Sequence, residues 1–171
     1  MAQNTQAEPF NNAIVRLFNK VESDIITTAE AMPEDRYNFT PGSLHIKGAA
    51  FDSVRTFAGQ IMHLATDNIL IWAAINNQEI AYDIPDVNGP KNITTKADIL
   101  TYLKYSFETG RKAIETITAT NASDLIEFRW RKLSKLDLAF YGIVHANEHY
   151  GQMVVYLRMC GIIPPPTKAE Q

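Results

Sequence analysis

Apolar residues recur at steps of three and four in four separate stretches of this chain, the period of one buried helix face. In the first stretch, about 8–31, the stripe is Phe10, Ile14, Leu17, Val21, Ile25 and Thr28. In the second, about 51–77, Phe57, Ala58, Ile61, Leu64, Ala65, Ile71, Trp72 and Ile75 form an apolar arc. The third opens at Thr95, which has Asp98 three residues on, the spacing of a capping box. Its apolar side is Ile99, Leu103, Phe107, Ile114 and Ile117. A second such pair, Ser134 and Asp137, opens the fourth, which runs to about Cys160. Gly161 and then Pro164, Pro165 and Pro166 supply its stop.

Between these stretches the pattern breaks. "MPEDRYNFTPGSLHIKGAA" and "DIPDVNGPKN" are rich in Pro, Gly, Asn and Asp and predict long connections. "ATNASDLIEFRW" reads as a mixed loop with a short turn. Strand-like alternation is scarce, so the pattern predicts an all-α protein, a four-helix bundle. Two of the three connections are long, which lets consecutive helices run parallel.

Composition narrows the function classes. The chain has 171 residues, 46% of them hydrophobic, enough for one domain over 1–171 with a sizeable core. Its net charge is -3, which gives no support for a nucleic-acid partner. No run approaches the ~20 apolar residues of a membrane span. The start "MAQNTQAEPF" lacks a charged and then apolar leader. The expectation is a cytoplasmic protein, unless a leader was removed upstream of Met1. Cys160 is the single cysteine, so neither an intrachain disulfide nor a CxxC site is available. It reads as a small core residue.

The candidate chemistry lies with histidine. His145 and His149 stand one helical turn apart, close enough to share a metal ion. Two histidines bonded to neighbouring helices, or facing solvent, would show the same spacing. Gln152 continues their stripe. The HExxH protease pattern is absent, and Glu148 points off the shared face. A third ligand must come from elsewhere, and only His45 and His63 remain. A helical wheel places His63 roughly opposite Ile61, on a stripe with Thr56, Gly59, Gln60, Asp67, Leu70 and Ala74, which predicts exposure. The same stripe would suit a metal site if it bordered a cleft, with Asp67 fixing the imidazole tautomer or a bound water. His45, in a Gly/Pro-flanked loop, is expected to be exposed.

Taken together, "AMPEDRYNFTPGS", "QIMHLA" around His63 and "HANEHYGQMVVYLRMCGIIPP" from His145 resemble the DinB/YfiT-like superfamily over nearly the whole chain. The resemblance implies an up-down-down-up bundle in which His63, His145 and His149 bind one divalent metal, zinc or nickel foremost. It also implies a homodimer, and Val144, Val154, Val155 and Leu157, spread around the fourth helix, fit burial on two sides. Three imidazoles leave a coordination position open, as in catalytic rather than structural sites. Relatives of this kind suggest a metal-dependent thiol S-transferase acting with a low-molecular-weight thiol. Arg36, Tyr37 and Lys47 are the candidate contacts for the thiol's charges. The alternatives are a hydrolase using metal-bound hydroxide oriented by Asp67 or Gln152, and a non-catalytic, stress-related metal-binding bundle. The sequence leaves open whether the chain is an enzyme. Trp72, Met62, Met153 and Met159 read as packing, Trp130 between two arginines as a surface stack, and Arg158 as a partner of the helix dipole.

Overall fold

The computed structural model describes residues 9–165. The expected helix start at Glu8, the N-terminal stretch read for a leader and the stop residue Pro166 lie outside them. Among the described residues are four long helices: α1 (Asn12–Ala31), α2 (Phe57–Asn76), α3 (Lys96–Glu115) and α4 (Lys135–Met159). Both capping pairs act as expected. Thr95 accepts from the Asp98 amide, and Ser134 and Asp137 form a complete capping box. α4 ends in a turn through Gly161, whose φ of 75° is the left-handed conformation that glycine adopts freely.

α2 starts later than the periodicity suggested. Thr56 caps it by accepting from the Gly59 amide. The first two helical amides are taken by carbonyls of the preceding loop, Phe57 to Phe39 at 3.0 Å and Ala58 to Tyr37 at 2.8 Å. Residues 51–55 therefore stay outside the helix and bring Arg55 up beside its first turn.

Side-chain pairs set the directions of the helices. Thr66 meets Tyr102, and Asn68 meets Ser106, so α2 and α3 run parallel. Gln60 meets Gln152, and Tyr156 reaches back to Arg55, so α4 is antiparallel to α2. Lys104 pairs with Glu30 and Arg111 with Glu22, so α1 is antiparallel to α3. The result is the expected up-down-down-up bundle, in which the connection 77–95 travels back along the molecule.

The segment read as a mixed loop differs. Leu125–Phe128 (β1) and Arg131–Ser134 (β2) pair antiparallel, with Phe128 opposite Arg131. The tip is Arg129–Trp130, with Arg129 left-handed at φ 54°. Two four-residue strands are too short to display a period of two, and no Asn-Gly or Asp-Gly marks the turn.

The core closes around Trp72, Phe107 and Phe18, with Phe18 set edge-on to both other rings at 5.3 and 5.6 Å between centroids. Phe10 and Leu17, placed on the buried stripe by periodicity, are instead 45% and 48% exposed. The close approach of α3 to these rings depends on Gly110. A Cβ there would lie 2.6 Å from two Phe18 ring carbons and 3.1 Å from Trp72. Gly110→Ala gains ~1 kcal/mol of helix propensity but must displace a ring locked by two others. A net loss of about 1–2 kcal/mol is expected, read as a lower midpoint in chemical denaturation. An unchanged midpoint would show that the rings yield freely.

Candidate metal centre

The two ends of the sequence stripe meet inside the bundle. α2 carries His63 and α4 carries His145 and His149, and one ring nitrogen from each lies within 4.8 Å of the others. His149 is buried, while His63 and His145 are half-buried. The exposure expected of His63 is thus corrected. Nearly every side of α2 is covered, so its polar stripe faces a cleft between helices rather than open water. His45 is exposed and takes no part.

Hydrogen bonds fix where the free lone pairs point. The Gln60 amide nitrogen donates to Gln152 at 2.9 Å, which turns its oxygen toward His149 Nδ1 at 2.7 Å. Nδ1 therefore carries the proton, and His149 Nε2 is a bare lone pair. His63 Nδ1 stands 2.8 Å from the Val87 carbonyl and must donate to it, which frees His63 Nε2. A carbonyl or amide oxygen behind each imidazole is the usual support of a metal-binding histidine. His145 Nδ1 is buried with no hydrogen-bond partner.

His145 Nε2 and His149 Nε2 face each other at 3.2 Å. Two nitrogens bound to one zinc at about 2.0–2.1 Å stand roughly 2.8–3.4 Å apart in octahedral to tetrahedral geometry. The pair already has the spacing of ligands on one ion, so the residues present fit a divalent metal.

Burial depresses both α4 imidazoles. His149 is lowered from 6.5 to about 3, chiefly by burial and then by His145, His63 and Arg55. Burial also lowers His145, and Asp67 opposes this in part. With His145 neutral, its 3.6 Å approach to Asp67 is not an ion pair. The true partner of Asp67 is Arg129, 2.6 Å away at the hairpin tip.

A histidine with a folded-state pKa near 3 leaves the unfolded chain to bind the proton first. Its stability contribution is complete above pH 6.5 and is lost as pH falls from there toward 3. The slope approaches about 1.4 kcal/mol per pH unit. Denaturation of the metal-free protein at pH 7 and pH 5 checks this, and a higher midpoint at the lower pH would contradict it.

The other sequence candidates fall in different places. Asp67 is buried beside His145, but Arg129 occupies it. Gln152 is exposed and acts through Gln60. Tyr37 is a core residue donating to Ala29, Arg36 donates to the Cys160 carbonyl, and Lys47 is exposed. None of the three has a contact with the histidines. Cys160 is half-buried at the end of α4. Sequence reasoning missed Arg55, Arg129 and the role of Gln60. Only the last carried a signal, as a member of the His63 stripe. Beside the site, Phe128, Arg129, Trp130, Arg131, Leu133 and Tyr141 line a pocket of about 310 Å³. The Tyr141 ring stacks on His145 with centroids 6.0 Å apart.

Fold and site define a class: a four-helix bundle whose interior holds a three-imidazole group able to bind a metal ion. The model of the DinB superfamily matches residues 17–153, and the chain belongs to that superfamily. Among solved structures, a DinB-like protein from Bacillus subtilis is 20% identical, with a TM-score of 0.62 over 88% of this chain and 92% of its own. A DinB-like protein from Bacillus cereus is 15% identical, with a TM-score of 0.66 over 89% and 93%. The colibactin self-resistance protein ClbS, solved in complex with double-stranded DNA, is 13% identical, with a TM-score of 0.61 over 91% and 99%. At these identities the likeness shows the fold alone. No curated protein matches the chain. No helix among the described residues is long and apolar enough to cross a membrane.

Proposed function

We propose that the chain is a single DinB-like domain that binds a divalent metal through His63, His145 and His149 and works as a metal-dependent thiol S-transferase. The observation that carries the metal reading is the 3.2 Å approach of two ring nitrogens whose lone pairs would otherwise repel or need a shared proton. A divalent cation held there would lower the pKa of a thiol or water taken up at its open position.

The chain's own groups favour the thiol. Hydrolysis asks for a side chain free to orient water and move its proton. Asp67 is held by Arg129 and the Gln152 oxygen by Gln60, so both candidates are engaged. A thiol activated by the cation needs no such base. The arginine- and aromatic-lined pocket beside Tyr141 offers room for an electrophile. The exposed stripe Phe140, Val144 and Val155 on α4 supports a homodimer contact. A role on duplex DNA is not favoured at a net charge of -3.

The test uses protein purified without a metal-affinity column. Elemental analysis should find one divalent ion per chain. A model electrophile should then be consumed with added small thiol, and only in the metal-loaded protein. Turnover of esters or amides without any thiol would replace this reading with the hydrolytic one. Metal without turnover of either kind would leave a binding protein.

A further inference from the structure

Arg55 is a cation in an unexpected place. It precedes the Thr56 cap of α2, and its carbonyl is pinned by the Tyr156 hydroxyl at 2.8 Å. Its guanidinium Nη2 lies 3.4 Å from His63 Nδ1. That nitrogen already donates to Val87 at 2.8 Å, so the contact brings two donors together and is not a hydrogen bond. Arg55 Nε is buried with no partner. Among the ion pairs of the described residues, none involves Arg55, whereas Arg129 across the site has Asp67.

The charge inventory shows what is missing. Around the three imidazoles stand the Arg129–Asp67 pair, Arg55 and, exposed on α4, Glu148, which acts on His145. A divalent ion adds two positive charges beside a guanidinium that has no carboxylate against it. Arg55 is half-buried, and charge taken out of water without a counterion is costly, so a loaded site favours an anion. The guanidinium presents a planar fork that matches a carboxylate in two-point contact.

We propose that Arg55 is the carboxylate-binding residue of this site, holding the acid group of a ligand whose other end takes the open position beside His63, His145 and His149. On the thiol reading above, on which this refinement rests, the ligand is a carboxylate-bearing small thiol rather than a neutral one. The fork takes the acid group in place of the water that would otherwise solvate it. The thiol end is thereby aimed at the imidazole cluster.

The test compares 3-mercaptopropionate with uncharged 2-mercaptoethanol on the cobalt-substituted protein, following the thiol-to-cobalt absorption band and the calorimetric dissociation constant. The charged thiol should bind at least about tenfold more tightly to the wild type. Arg55→Met should remove that advantage while leaving metal content and mercaptoethanol affinity unchanged. Arg55→Lys, which keeps the charge without the fork, should be intermediate. Propionate should compete in the wild type and not in Arg55→Met. An advantage that survives Arg55→Met overturns the proposal, and so does equal binding of the two thiols to the wild type. Loss of metal or helicity in both variants also overturns it, marking Arg55 as structural. If neither thiol gives a band while propionate still binds in an Arg55-dependent way, the thiol reading fails and the carboxylate role stands.

Discussion

His149→Ala is expected to abolish tight metal binding while leaving a folded bundle. Removing only a hydrogen-bond partner behind a metal ligand typically costs 10–100-fold in affinity. In the proposed site, losing one of three imidazoles removes a bond to the ion itself, so the fall should exceed about 100-fold. The bundle survives because alanine suits the middle of α4 and because a buried imidazole held neutral is itself costly. The one group left unpaired is the Gln60 oxygen, which met His149 at 2.7 Å, a loss of about 1–3 kcal/mol. Metal titration beside circular dichroism separates these effects. Wild-type affinity in the folded variant would mean that the ring is a core residue and that the ion, if any, sits elsewhere.

The second large effect is on stability. Asp67 has a side chain 4% exposed, and Arg129 is its counter-charge. Arg129→Met strands a buried carboxylate, for which about 3–5 kcal/mol is usual. The low end, about 3 kcal/mol, is expected because the Arg129 side chain is 29% exposed and water can enter when it is gone. For a chain of this size that corresponds to a melting temperature lower by roughly 6–12 °C. Adding Asp67→Asn should restore much of the loss, since the stranded charge and not the missing contact carries it. A single variant as stable as the wild type would show that Asp67 needs no partner.

How much of this was legible in the sequence depends on how local each signal is. The helices and both Thr/Ser–Asp caps were readable because capping and periodicity act within a few residues. The hairpin was not, since strands of four residues show no clear alternation and Arg129 adopts a backbone conformation that its identity does not advertise. The three histidines were readable as a set through their resemblance to a family. The wheel alone placed His63 in water, because a wheel assumes one wet face and α2 has almost none. The Asp67–Arg129 pair joins residues 62 apart, and Arg55 enters through where α2 begins. Both depend on tertiary placement that no local pattern encodes.

The wiring of the bundle has a further consequence. Parallel α2 and α3 oblige the strand of chain between them to retrace the length of the molecule, and on that return it lays the Val87 carbonyl against His63. A rewired up-down-up-down bundle with the same four helices and the same imidazoles would have no chain at that point. Grafting the histidines onto a simpler scaffold would therefore leave one of them free to turn its wrong nitrogen inward. Topology here supplies an orienting group that no transplanted trio of side chains brings with it.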